Sequence, residues 1–100
     1  MNDKLQNEAV DSLFDGILQL RTREECYAFF EDLCTVKELL SMSQRFEVAT
    51  MLKEDKTYLS IASKTGASTA TISRVNRSLA YGKDGYDLVL SRMRQDESKD

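Results

Sequence analysis

One hundred residues, 41% hydrophobic and 31% charged, suffice for one domain with a core and are too apolar for global disorder. The chain has no proline, 4 glycines, no histidine and a net charge of -3, which argues against a turn-rich sheet protein, histidine-based acid–base catalysis and a zinc centre. Cys26 and Cys34 sit on one predicted helix about 12 Å apart along its axis, too far for a disulfide with each other, and they read as small buried hydrophobes.

Met1 is followed by Asn-Asp-Lys rather than by a basic and then apolar run, and no apolar stretch approaches a membrane span. The expected compartment is the cytoplasm, with no membrane partner and no metal.

In chain order, the first helix is predicted over about residues 4–20. Leu5, Ala9, Val10, Leu13, Phe14, Ile17 and Leu18 recur at helical spacing. They sweep about 220° of the wheel, much wider than the ~100° stripe of a surface helix. So apolar a helix needs cover on more than one side, and a second copy of the chain would supply it. A homodimer is therefore expected, with residues 1–40 as its dimerisation helices; the alternative is a central helix of a monomer.

Thr22-Arg-Glu-Glu25 has capping-box spacing and opens a second helix near Arg23, carrying Cys26, Tyr27, Phe29, Phe30, Leu33 and Cys34. Thr35 can cap a short turn with Val36, Leu39 and Leu40. Ser41-Met-Ser-Gln44 repeats the box spacing and predicts a new helix in which Phe46, Val48, Ala49, Met51 and Leu52 pack inward.

Thr57 can cap a short helix through about Lys64, with Leu59 or Ile61 and Ala62 facing in. Gly66 interrupts it, and Ser68 or Thr69 caps the next helix through about Ala80. Gly82 follows as a stop, Asp84-Gly85 marks a turn, and Tyr86 to Arg94 form a last amphipathic helix before a flexible tail, 95–100. The expected architecture is one all-α domain over 1–94, with a helix-turn-helix at 57–80 and a C-terminal helix at 84–94.

The helix pair at 57–80 carries the most specific pattern. Two helices crossing steeply over a short turn need a very small residue on the first, a left-handed position in the turn and apolar anchors one turn apart on the second. Ala62, Gly66, Ile72, Val75 and Leu79 meet these needs, with Ile61 completing the inner wall. Left facing outward are Ser68, Thr69, Ala70, Thr71, Ser73, Arg74 and Arg77, with Lys64 before the turn. Short hydroxyls let a helix backbone approach a groove, alanine and threonine methyls meet a thymine methyl, and an arginine reaches a guanine edge or a phosphate. Ser68 and Thr69 have a second reading, as helix caps.

Charge is segregated in the same way. From Lys56 to Lys83 there are five basic residues and no acid; removing those five from 14 basic and 17 acidic residues leaves nine against seventeen, -8, elsewhere. A localised polyanion-binding face has this distribution.

"KTGASTATISRVNRSLAYG" resembles the reading head of the Trp-repressor-like family, most closely its YerC/YecD-type branch, and the likeness extends back through "SMSQRFEVATMLKEDKTYLSIAS". The resemblance implies an all-helical, intertwined dimer that binds double-stranded DNA as a regulator of transcription. It places DNA contacts on Ser68, Thr69, Ala70, Thr71, Ser73 and Arg74. The repressor's effector site would fall on Gln44 or Arg45, Arg74 and Ser78. One of the two arginines that sandwich the indole becomes Gln44, however, and a glycine beside the ligand becomes Val75. These departures speak against tryptophan itself and leave any other effector open.

The expected function is a dimeric, sequence-specific DNA-binding repressor reading a palindromic operator. The alternative is the same fold used as a protein-interaction module. An enzyme is not expected: there is no glycine-rich phosphate loop and neither cysteine has an activating neighbour.

Overall fold

A computed structural model describes residues 2–98, the Ser98 side chain excepted. Among them are a short 3-10 turn, Asp3–Leu5, and six helices with no strand: α1 (Glu8–Ile17), α2 (Arg23–Leu33), α3 (Val36–Lys53), α4 (Tyr58–Thr65), α5 (Thr69–Tyr81) and α6 (Gly85–Ser98). Where one domain is expected over 1–94, the chain divides into two compact units, residues 1–39 and 40–100.

In the first unit, the helix predicted over 4–20 is shorter at both ends. Asn7 is extended and its side chain accepts the Val10 amide at 2.9 Å, so the helix starts only at Glu8. After Ile17, shorter-range bonds from Gln19 to Gly16 and from Leu20 to Ile17 close it. The Thr22 hydroxyl caps α2 as expected, accepting the Glu25 amide at 3.1 Å. The Glu25 carboxylate reaches back past the cap to the Arg21 amide at 2.8 Å.

No described residue of this unit is buried. Phe14 is 55% exposed, Leu18 77% and Val36 75%. Cys26 is exposed and Cys34, extended just after α2, is half-buried. The expectation of two buried cysteines therefore fails for a single chain, because the apolar faces of α1 and α2 are uncovered.

The predicted break at Ser41 is absent. The capping box that opens α3 is Thr35 with Glu38: the Thr35 hydroxyl accepts the Glu38 amide at 3.1 Å and the Thr35 amide donates to the Glu38 carboxylate at 2.8 Å. The Thr35 amide first, and its hydroxyl second, hold the Glu38 carboxyl below its ordinary value against a smaller effect of desolvation. Ser41 instead accepts from the Arg45 guanidinium at 3.3 Å, within one uninterrupted helix.

The second unit holds the core. Val48, Ala49 and Met51 of α3, Ile61 of α4, Ala67 of the turn, and Ile72 and Val75 of α5 form one buried cluster. Leu52, Ala62, Leu79 and Tyr86 pack against it. Of the two inward options on α4, Ile61 is buried and Leu59 is 83% exposed. The Phe46 and Tyr86 rings lie 6.5 Å apart. On the surface, Lys53 pairs with Asp87 at 2.8 Å.

Gly82 ends α5 but not as a left-handed stop. It is extended, and an added Cβ would strike the Ser78 carbonyl, so glycine is needed there for close approach. The left-handed positions at the two outer turns fall on Asp55 and Asp84 instead. Helix α6 continues through Ser98, so 95–98 is helical where a tail is predicted; 99 and 100 lie outside the described residues.

Gly66 does adopt the left-handed conformation, with φ 73°. A Cβ there would meet nothing within 4 Å, so substitution costs backbone strain alone. Gly66→Val is expected to destabilise the protein by about 1–2 kcal/mol, lowering Tm by roughly 4–8 °C per kcal/mol. Thermal unfolding followed by circular dichroism checks this, and an unchanged Tm would mean that the turn lies elsewhere.

Candidate nucleic-acid interface

The α4–turn–α5 unit is built from caps and anchors. The Thr57 hydroxyl caps α4 through the Ser60 amide at 3.1 Å. The left-handed Gly66 turns the chain, and Ala67, 5% exposed, plugs the turn into the core. Ser68 then caps α5, accepting the Thr71 amide at 3.1 Å. Ile72 and Val75, 0% and 2% exposed, fix the inner side of α5. The opposite side must therefore face solvent.

Of the predicted contact residues, Lys64, Thr69, Ala70, Arg74 and Arg77 are exposed. No hydrogen bond or ion pair holds either arginine among the described residues. Thr69 and Ala70 occupy the first two positions of α5, where backbone N–H groups have no carbonyl one turn back and the helix end carries partial positive charge. Ser68 remains exposed, but its hydroxyl is engaged as the cap and bonds the Thr71 hydroxyl at 3.1 Å. Thr71 and Ser73 are half-buried, at the edges of the face.

The outer stripe also extends beyond the predicted contact residues. Positions 70, 74, 77 and 81 follow one another by four, three and four residues and so share a side of the helix. Tyr81, 87% exposed, therefore continues the line of Ala70, Arg74 and Arg77. Reading Tyr81 only as part of the helix stop hid this, although the spacing from Arg74 and Arg77 carries the signal. Asn76 is also exposed but lies about 100° or more around the helix from this line.

The candidate effector residues are engaged separately. The Gln44 side chain donates to the Thr65 carbonyl at 3.2 Å, and Arg45 donates to Ser41. Ser78 lines an open groove of about 430 Å³ with Phe46, Gly82, Lys83, Tyr86 and Val89, which Gln44, Arg45 and Arg74 do not line. Val75 belongs to the core. Among the described residues no group of three His, Cys, Asp or Glu is placed to hold a metal, and no helix is long and apolar enough to cross a membrane.

Residues 8–94 match the family described as Trp repressor protein. The chain belongs to the Trp repressor family. An uncharacterized protein of Bacillus subtilis strain 168, YerC, is 54% identical over 97 residues, covering 97% of this chain and 93% of the relative. A TrpR-like protein from Eubacterium eligens has a crystal structure that superposes with a TM-score of 0.90 at 65% identity, covering 92% of this chain and 95% of its own. A candidate Trp repressor from Staphylococcus aureus superposes at 0.89 with 58% identity, covering 92% of each chain. The all-helical Trp-repressor-like fold and the YerC-type resemblance both stand on these matches.

Proposed function

We propose that the chain is a dimeric, sequence-specific DNA-binding regulator of transcription that represses from a palindromic operator. The observation that carries this is the exposed outer side of α5: Ala70, Arg74 and Arg77 in line, both arginines without protein partners, and Thr69 exposed at the Ser68-capped N-terminal end. It lies in a window of 28 residues, 56–83, that contains no acid. Membership of the Trp repressor family supports the same reading.

The uncovered apolar faces support the dimer. Phe14, Leu18, Tyr27, Leu33 and Val36 are each at least half exposed in the single chain, a surplus that a second copy would bury. Two heads related by a two-fold axis would reach half-sites about 34 Å apart on DNA.

Light scattering is expected to give twice the chain mass of 11.4 kDa. Fluorescence anisotropy on duplex DNA should show affinity falling steeply between about 50 and 200 mM salt, as released counterions require. A monomer, or binding indifferent to salt, would contradict the proposal. A salt-insensitive protein that forms stoichiometric complexes with another protein would favour an interaction module.

A further inference from the structure

We propose that Gln44 is a positioning residue for DNA reading, holding the α4–α5 turn from α3 so that the first turn of α5 stays aimed at the groove. The proposal rests on the DNA-binding reading above. Its observation is the bond from the Gln44 side-chain amide to the Thr65 carbonyl, 3.2 Å long, partly buried and spanning 21 residues of sequence.

Thr65 is the last residue of α4, and its carbonyl is among those that a helix leaves without an internal partner. Water could satisfy it; here a side chain from another helix does. The same residue is the node of the turn. Its hydroxyl donates to the Ile61 carbonyl at 2.8 Å and accepts the Ala67 amide at 3.1 Å. The backbone of residue 65 is thus tied to α3, its side chain ties α4 to the turn, and Ser68 starts α5 one residue after Ala67.

Only Gly66, Ala67 and Ser68 separate the two helices. Gly66, the least restrained residue type, lies directly after the node. A small angular change there is carried along the ~20 Å of a 13-residue helix, α5, to every outward side chain. Gln44 anchors the turn on the side of α3, whose Val48, Ala49 and Met51 are already fixed in the core. The polar tie therefore adds direction to an apolar contact that has none of its own.

The test compares wild-type protein with Gln44→Leu, which keeps bulk and removes the donor, and Gln44→Glu, which turns an acceptor toward the carbonyl. Amide exchange by NMR and affinity for the DNA site selected by the wild type are both read where all three proteins are fully folded. Exchange at Gly66 and Ala67 should rise about fivefold relative to Ile72 and Val75, and affinity should fall about fivefold in Gln44→Leu, the size of one net hydrogen bond, and further in Gln44→Glu.

Unchanged exchange at Gly66 and Ala67, or faster exchange at Ile72 and Val75 to the same degree, overturns the proposal. So does unchanged DNA affinity when local exchange has risen. A wild-type protein that selects no site overturns the DNA reading and the proposal with it. The exchange data then still decide separately whether Gln44 holds the turn.

Discussion

Ile72→Ala is expected to cost about 2–5 kcal/mol of stability, a large share of the margin of a domain this size. Ile72 is fully buried in the first turns of α5, in one cluster with Val48, Ala49, Met51, Ile61, Ala67 and Val75. Truncation removes three carbons from water-free packing and leaves a cavity. The neighbours are anchored on three different helices and the turn, so they collapse into it only partly. Ile72→Val, which removes one carbon, should cost about 0.5–1.5 kcal/mol. Urea unfolding of both variants gives the comparison. A loss below about 1 kcal/mol for Ile72→Ala would mean that the inner face of α5 is assigned wrongly, since a buried isoleucine has no cheap truncation.

Arg74→Ala is expected to do the reverse, leaving stability alone and weakening specific DNA binding by about 1–3 kcal/mol, roughly 5- to 150-fold. The side chain is exposed and holds no hydrogen bond or ion pair among the described residues, so folding loses little with it. On DNA, a bidentate pair with a guanine edge would be lost. If Arg74 reads a base, discrimination between the selected site and scrambled DNA falls together with affinity. If it grips a phosphate, both DNAs weaken alike and the salt dependence becomes shallower. Equilibrium binding of both DNAs at two salt concentrations separates these results, and unchanged affinity for both would remove Arg74 from the interface.

The helix-turn-helix was the most legible part of the sequence, because its requirements are local and steric. Gly66 takes a backbone conformation that other residues adopt at a cost, and Thr57 and Ser68 each bond an amide three residues on. Ile72 and Val75 point inward because α4 and α3 leave them nowhere else to go.

The join at Ser41 was ambiguous for a different reason. Thr35-x-x-Glu38 and Ser41-x-x-Gln44 have the same spacing, and both patterns fit a helix start. No glycine or proline between Val36 and Lys53 forces a break, so the first box opens the helix and the second is absorbed. Gln44 is thereby freed to reach Thr65, a contact 21 residues away that no local spacing encodes.

Burial of the cysteines was illegible for a third reason: periodicity shows which face is apolar, and leaves out what covers it. In the candidate site, the exposed outer face of α5 was legible from its small and basic residues. Its extension to Tyr81 was missed because an aromatic residue beside Gly82 fits a helix end equally well.

Whether α5 reads DNA sequence is decided by selection of the wild-type protein against a random duplex pool at about 150 mM salt, where non-specific contacts are weakened. Enrichment of one two-fold symmetric site is expected, with half-sites centred about one helical turn apart. A pool that stays random through successive rounds, with the protein folded and dimeric throughout, would contradict sequence reading by α5.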